Sequence, residues 1–366
     1  MKPKNIAHLL MGAANIAIMF LLVTAAFSDA ISPEVSVLFA WLGLLFPFFL
    51  VLNALFLIYW LLVRKWMFLF IVCCSLLICW KPVSCYAPFH PFRREAPSST
   101  GVIKLLTYNV MAFNYQPHRK EKPNRILQYI IDSKADIVCL QEYMEAKSEQ
   151  SLTRKQIVKA LGMYPYHFYL PLINYHTYTV GVAVYSKYPI TKSWKVCYDS
   201  SFNGSTVHEL DVHGKKLTVV NNHLESFKLT MEDRSRYEDF IKNINPDTFD
   251  DLRGTVQHKL GAAYLIRAEQ ADIIAEEIRH LKADYLVVCG DFNDTPVSYA
   301  HRTVQGELAD AFVESGNGLG TTYNQNFFWF RIDHILHSPN MTSYRTTVDK
   351  LRLSDHYPVW CYLEMN

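Results

Sequence analysis

Acidic side chains are almost missing from the first hundred residues: Asp29, Glu34 and Glu95 are the only three there of the 34 in the 366-residue chain. Residues 6–27 and 35–63 contain no Asp, Glu, Lys or Arg at all. Each run is as long as the ~20 residues a helix needs to cross a bilayer. That length without charge argues against an ordinary soluble core in this part of the chain. Pro47 predicts a kink in the second run. Residues 66–80 are also uncharged but short for a span, and snorkelling of Arg64, Lys65 and Lys81 would extend them.

The expectation is a transmembrane anchor over residues 1–85 with helices at about 6–27, 35–63 and 66–82. Lys2 and Lys4 precede the first run, and Arg64 with Lys65 fills the turn after the second. The positive-inside rule then puts the N-terminus and that turn in the cytoplasm. A multi-pass protein of the cytoplasmic membrane follows, with everything after Lys81 outside. Ala25, Ala26 and Ala30 would also suit cleavage of the first run as a signal peptide, which leaves the C-terminal part on the same side. Only failure of the third run to span would reverse it.

Other shortages narrow the remainder. The eight cysteines form neither a disulfide framework nor a zinc spacing, and Cys139 and Cys289 sit in apolar strands where cysteine acts as a small hydrophobe. No internal repeat is visible. After Thr100 there are 29 Lys and Arg against 31 Asp and Glu. This balance lacks the basic excess of a protein that grips nucleic-acid backbone without specificity. Residues 316–323 (GNGLGTTY) hold three glycines but no GK[ST] or GxGxxG, so a phosphate cradle has only weak support. Residues 86–100, rich in Pro, Ser and charge, read as a linker. A single domain is expected over 101–366.

What that domain contains is a series of β-rich runs with polar residues at their exits. The central one is 286–294 (LVVCGDFND), a short buried strand that stops at Gly290 and leads into Asp291 and Asn293. A carboxylate and an amide two residues apart can converge on one metal ion or phosphate, although Asp and Asn also simply start loops. The strand at 102–110 ends at Asn109. The amphipathic stretch 123–134 reads as a helix, and the strand at 136–142 ends at Gln141 and Glu142. A strand at 180–186 is followed by a turn at 187–190. Residues 216–221 form another that runs into His223, Leu224 and Glu225. Residues 227–260 read as an insertion over one rim. The stretch 262–281 reads as a helix with Ile266, Ile273, Ile274 and Ile278 inward and Arg267 as surface charge. Residues 307–314 read as a short helix, and the aromatic-rich 164–179 as a loop. Residues 331–336 (RIDHIL) carry Asp333 inside an apolar strand, which is costly unless it is paired, and His356 in 354–359 (SDHYPV) is its natural partner.

The ordered set TYNV, LQE, GVAVYSKYP, NNHLES, CGDFND, RIDHIL and SDHYPV resembles the endonuclease/exonuclease/phosphatase superfamily over roughly residues 101–366. That resemblance implies an α/β fold, a four-layer sandwich of two mixed sheets flanked by helices, here preceded by the transmembrane helical segment. It implies a divalent cation, Mg²⁺ with Mn²⁺ as a substitute, held by Glu142 with Asn109 nearby and Asp355 in support. Asp291 would orient or deprotonate the attacking water and Asn293 would steady the phosphate. His356 would contact the scissile phosphate with its tautomer set by Asp333. His223, in a stretch similar to that of the tyrosyl-DNA phosphodiesterase branch, would stabilise the transition state. The expected partners are a phosphoester substrate (a lipid headgroup, a small phosphodiester or nucleic acid) and the lipid bilayer. The alternative is a non-catalytic module that keeps the fold for binding.

Overall fold

The computed structural model describes residues 3–92, 94–119, 121–227, 246–325 and 329–366. Five helices come first: α1 (Pro3–Ala26), α2 (Val37–Leu44), α3 (Phe46–Leu62), α4 (Trp66–Ile78) and α5 (Trp80–Tyr86). The 35–63 run is broken at Leu45, with Pro47 in the first turn of α3, where a missing N–H costs nothing. Helices α2 and α3 bend by 53°, and α4 and α5 by 63°. Among the described residues one helix, at Ile6–Ala26, is long and apolar enough to cross a membrane, or up to three if each bent pair is one span.

Helices α1 and α3 pack antiparallel. Near one end His8 Nδ1 meets Tyr59 Oη at 3.0 Å and the Trp60 indole donates to Asn15 Oδ1 at 2.9 Å. At the other, Leu22, Ala25, Ala26, Phe46, Phe49, Cys79 and Tyr86 cluster with Val297 of the following domain. Large apolar side chains such as Leu10, Phe20, Leu62 and Phe70 remain exposed around the outside. Asn15, Asn53 and Ser75 are buried between helices, the usual place for polar groups among apolar helices in lipid.

Two six-stranded sheets follow. The first has the order β11-β12-β1-β2-β4-β3, built from β1 (Val102–Asn109), β2 (Ile137–Ala146), β3 (Tyr166–Asn174), β4 (Tyr178–Ser186), β11 (Met341–Val348) and β12 (Val359–Met365). The second has the order β5-β6-β7-β8-β10-β9, from β5 (Ile190–Lys195), β6 (Gly204–Val212), β7 (Lys215–His223), β8 (Tyr285–Asp291), β9 (Ala309–Asp310) and β10 (Asp333–His337). Strand alternation explains the layers. Ile103, Leu105, Ile137 and Cys139 point inward onto Val219, Val287, Cys289 and Ile335, while Leu106, Tyr108, Val138 and Leu140 point outward. Ile126, Leu127 and Ile130 of α6 (Arg125–Ser133) and Ile157 of α7 (Arg154–Ala160) cover that outer face. On the second sheet, Ala271 and Ile274 of α8 (Pro246–His280) and Ala300 and Val304 of α9 (Tyr299–Gln305) cover Val220, Val288 and Leu336. The domain is the four-layer α/β sandwich expected.

Several local expectations need correction. The 164–179 stretch is mostly edge strand: β3 pairs antiparallel with β4, and Pro171 is tolerated because β3 has a neighbour on one side only. Residues 307–314 do not form one helix. The two-residue strand β9 precedes a short helix α10 (Ala311–Ser315), which Asp310 caps by accepting from the backbone N–H groups of Phe312 and Val313. The helix expected at 262–281 starts earlier, at Pro246, and most of the 227–260 insertion lies outside the described residues. On α8, Ile266 is exposed and Arg267 is buried, so the inward stripe is Ala263, Arg267, Ala271 and Ile274. Within 86–100, three residues touch the domain: the Gly318 N–H donates to Pro88 O at 2.8 Å, His90 Nδ1 is 2.7 Å from Gly316 O, and Arg345 pairs with Glu95.

Candidate active site

Strand pairing brings the candidate residues to one edge of the sandwich. In the second sheet β8 is flanked by β7 (parallel) and β10 (antiparallel), and the register sets His223 and Asp333 on either side of Asp291. In the first sheet Asn109 ends β1 beside Gln141 on parallel β2. Between Leu140 and Tyr143 the pairing of β2 with β4 slips, and Glu142 sits in that bulge with φ 51°. A non-glycine residue in the left-handed region stores strain, and here it re-aims the side chain out of the strand into the cleft. Gly290 has φ 131°, and a Cβ there would lie 2.0 Å from Asn222 O, so only glycine lets β8 approach β7 just before Asp291.

The two sheets meet through Asn109. Its Nδ2 donates to Glu142 Oε1 (3.1 Å) and to Asp291 Oδ2 (3.0 Å), while its Oδ1 accepts from the Met111 N–H. Asn109 therefore presents nitrogen, not oxygen, to the two carboxylates. His356 Nδ1 lies 2.8 Å from Asp333 Oδ2, and its Nε2 lies 3.6 Å from Asp291 Oδ2. His223 Nε2 is 3.9 Å from both Glu142 Oε1 and Asp291 Oδ2. Asn293 donates its backbone N–H to Asp291 Oδ1 (2.8 Å) and its Nδ2 to Leu224 O (2.9 Å). It would have to release Leu224 to touch a phosphate. Asp355 is half-buried, with Oδ1 3.1 Å from Ser354 Oγ.

The electrostatics divide these groups. Glu142 is pushed up to about 7, by burial first and then by the Asp355 carboxylate, although its side chain keeps 39% of its surface open to the cleft. Burial also raises Asp291. For His356 burial works downward, but the charges of Asp333 and Asp291 outweigh it and hold the imidazolium well above the ordinary range. His223 goes the other way, its pKa lowered chiefly by burial. The cleft thus holds one histidine that stays charged, one that stays neutral, and crowded carboxylates with a deficit of positive charge.

Further residues brace the site. Ser354 Oγ donates to Asn109 O (2.8 Å) and accepts from the His356 N–H, tying the last loop to β1. Gln141 Nε2 donates to Thr107 Oγ1 (3.0 Å) and Asn221 Oδ1 (2.6 Å), clasping the sheets behind the site. Thr322 Oγ1 accepts from the N–H groups of Ile332 and Asp333, and the Tyr323 ring stands edge-on to His356 at 5.2 Å. Gln141 stands next to Glu142 in the LQE motif, which is the one signal that pointed to it. Nothing in the spacing points to Thr322.

A family model described as endonuclease/exonuclease/phosphatase matches residues 106–356, and a second, a domain of unknown function, matches residues 8–86. No curated protein matches the chain. Among solved structures, an endonuclease/exonuclease/phosphatase from Beutenbergia cavernae is similar at TM-score 0.51 and 16% identity, covering 72% of each chain. One from Bacteroides vulgatus is 18% identical at TM-score 0.49, covering 72% of this chain and 99% of that one. The human Nocturnin catalytic domain with bound sulfate is 16% identical at TM-score 0.49, covering 73% and 95%. With 251 of 366 positions inside the matched span, the chain belongs to the endonuclease/exonuclease/phosphatase family of phosphoester hydrolases.

Proposed function

We propose that this protein is a membrane-anchored, divalent-metal-dependent phosphoesterase that hydrolyses a phosphodiester or phosphomonoester by in-line attack of water. The observation that carries the reading is the bridge at Asn109, which holds Glu142 of one sheet and Asp291 of the other on one amide nitrogen, within reach of His356.

A hard cation fits the donor set. Glu142, Asp291 and Asp355 are oxygen donors, and burial first, then the Asp355 and Asp291 charges, raise Glu142 to about 7, so a cation placed among them would relieve the cost of its charge. Glu142 and Asp355 are the proposed holders of Mg²⁺ (or Mn²⁺), and Asn109 orients Glu142. When bound, the cation supplies neutralisation of charge on the phosphate and leaving-group oxygens.

The chain's own groups supply the rest. Asp291, braced by Asn109 and by the Asn293 N–H, orients a water and accepts its proton. The His356 imidazolium, fixed by Asp333, directs its Nε2–H at a nonbridging phosphate oxygen. His223, kept neutral, offers a further N–H as charge builds on that oxygen. Asn293 keeps the Asp291 loop in register.

The anchor is read as residues 1–85 with three spans, joined through 86–100 to the catalytic domain at 101–366. Lys4 and the Arg64–Lys65 turn lie at the end of the helix bundle away from the domain, as the His8–Tyr59 contact indicates. The positive-inside rule then supports an extracytoplasmic domain on a multi-pass cytoplasmic-membrane protein. Attachment beside a bilayer favours a lipid headgroup, a small phosphodiester or extracellular nucleic acid as substrate. The test is a side-by-side screen of the detergent-solubilised chain on phospholipids, inositol phosphates, DNA and RNA. Turnover of at least one substrate by the wild type and none by Asp291→Ala is expected, and no turnover of any by the wild type contradicts the proposal.

A further inference from the structure

A second cluster of metal-ligand type lies on the other side of β10 from the cleft. His301 of α9, Asp310 of β9 and His334 of β10 are all at least nine-tenths buried, and each offers one ligand atom within 4.8 Å of the other two. The His301 and His334 ring centroids are 4.4 Å apart, tilted by 61°. His301 Nε2 and Asp310 Oδ2 stand 3.3 Å apart, close to the ligand–ligand edge of a tetrahedron with ~2.0–2.1 Å bonds.

What marks this as a site is how each group is held from behind. Asp310 spends Oδ1 on capping α10, accepting from the Phe312 N–H at 2.7 Å and the Val313 N–H at 3.1 Å. Its Oδ2 has no hydrogen-bond partner among the described residues. His334 Nε2 is 3.0 Å from Asp294 O, so the proton belongs there and Nδ1 carries the lone pair. That Nδ1, too, has no partner among the described residues, and the same is true of His301 Nε2. Apart from the 3.3 Å approach of His301 Nε2 to Asp310 Oδ2, none of these three buried atoms has a hydrogen-bond partner among the described residues, which is expensive unless something occupies the space between them. A histidine donating its far nitrogen to a backbone carbonyl is the usual second-shell arrangement of a metal ligand. Burial, then the neighbouring His301, keeps His334 well below its ordinary range, and a neutral imidazole is the form that binds metal.

We propose that His301, Asp310 and His334 form a structural site for a borderline transition-metal ion of the zinc class, separate from the catalytic cation. Two imidazoles and one carboxylate select such an ion over Mg²⁺, which prefers an all-oxygen shell. The ion would pin α9 and β9 to β10, and so fix the strand that carries Asp333. Arg331 is the competing cation: buried beside Asp310, it donates to Cys85 O and stacks on the Phe312 ring at 4.3 Å. If Arg331 and His301 by themselves balance Asp310, no metal binds.

The experiment uses the full chain in detergent, with Glu142→Gln introduced to silence the cleft, and Zn²⁺ and Co²⁺ as probes. Expected are zinc retained stoichiometrically through dialysis, and a visible Co²⁺ spectrum of low-symmetry ligation after exchange. Adding His334→Ala should remove both. His334→Cys should bring the Co²⁺ spectrum back with a new thiolate-to-cobalt band, which a residue with only a packing role would not do. The Co²⁺ spectrum of the chain with His301, Asp310 and His334 intact needs no core substitution, so misfolding of a variant cannot hide the answer. Absence of retained zinc and of a Co²⁺ spectrum in that chain overturns the proposal, as does equal metal content in the His301→Ala/His334→Ala double variant.

Discussion

His356 Nδ1 and Asp333 Oδ2 lie 2.8 Å apart, on segments 23 residues distant in the chain, and this contact decides which ring nitrogen faces the cleft. With Nδ1–H committed to Asp333, the Nε2–H points toward Asp291 and the cleft. Asp333 is costly in an apolar strand, and His356 is the group that makes its burial tolerable.

Replacing Asp333 by Asn should lower kcat by ~10²–10⁴ with little change in KM, because the ring remains but loses its orientation and its partner's charge. The pH profile supplies the sharper test. In the wild type the Asp333 and Asp291 charges overcome burial and keep His356 protonated well above its ordinary range. The active imidazolium is thus lost only at alkaline pH. Without the Asp333 charge that loss should occur at lower pH, so the alkaline limb moves toward neutrality. An unmoved limb would detach His356 from the chemistry.

Glu142 predicts the acid limb. Its pKa of about 7 in the metal-free fold means that cation and proton compete for it near neutrality. The apparent Mg²⁺ affinity should therefore fall as pH drops through 7. Stability of the metal-free chain should show the opposite sign. Between the ordinary value of 4.5 and about 7 the folded state binds more protons at this group than the unfolded one, so its contribution declines as pH rises through that window. Glu142→Gln should then raise the metal-free Tm at pH 8, have little effect at pH 4, and abolish the cation's stabilising effect.

On α8, Arg267 has no exposed surface: it pairs with Asp294 at 2.9 Å, donates Nε to Glu225 O, and lies over the Phe227 and Tyr264 rings. Arg267→Met leaves the buried Asp294 carboxylate unbalanced and should cost about 3–5 kcal/mol of stability. Arg267→Met/Asp294→Asn should cost less than the single change. Denaturant melts of the two variants against wild type check this, and additive losses would contradict the pairing.

The topology proposal is checked in a chain whose accessible Cys73, Cys74, Cys85 and Cys197 are changed to serine, with a single cysteine introduced at an exposed position of the domain, such as Glu149, or beside Lys65. A membrane-impermeant thiol reagent applied to intact cells should label the first and spare the second. The reverse pattern would place the domain in the cytoplasm.

Much of this architecture is legible along the chain. The strands that lead into Asn109, His223 and Asp291 announce themselves by β-rich runs with polar exits, whereas Glu142 sits in a bulge inside β2 and Asp333 opens β10; the Asp333–His356 partnership follows from the cost of a lone buried carboxylate. What escapes is decided by tertiary contact. Arg267 reads as surface charge because its partner Asp294 lies 27 residues on, although its place on the stripe of Ala263, Ala271 and Ile274 was visible in the spacing. The 164–179 stretch lacks strict alternation because β3 is an edge strand only partly covered. The role of Asn109 as a bridge, with its nitrogen and not its oxygen toward the carboxylates, depends on the Met111 N–H claiming Oδ1, which no sequence pattern encodes.

The central claim is that the cleft breaks a phosphoester with the help of a divalent cation. It is tested most directly by turnover of a chromogenic phosphodiester by the purified chain, in Mg²⁺, in EDTA, and in EDTA followed by excess Mg²⁺, beside Asp291→Ala at the same protein concentration. The account predicts turnover that EDTA abolishes, that Mg²⁺ restores, and that Asp291→Ala lacks in every condition. Full turnover in EDTA, or equal turnover by Asp291→Ala, would contradict it.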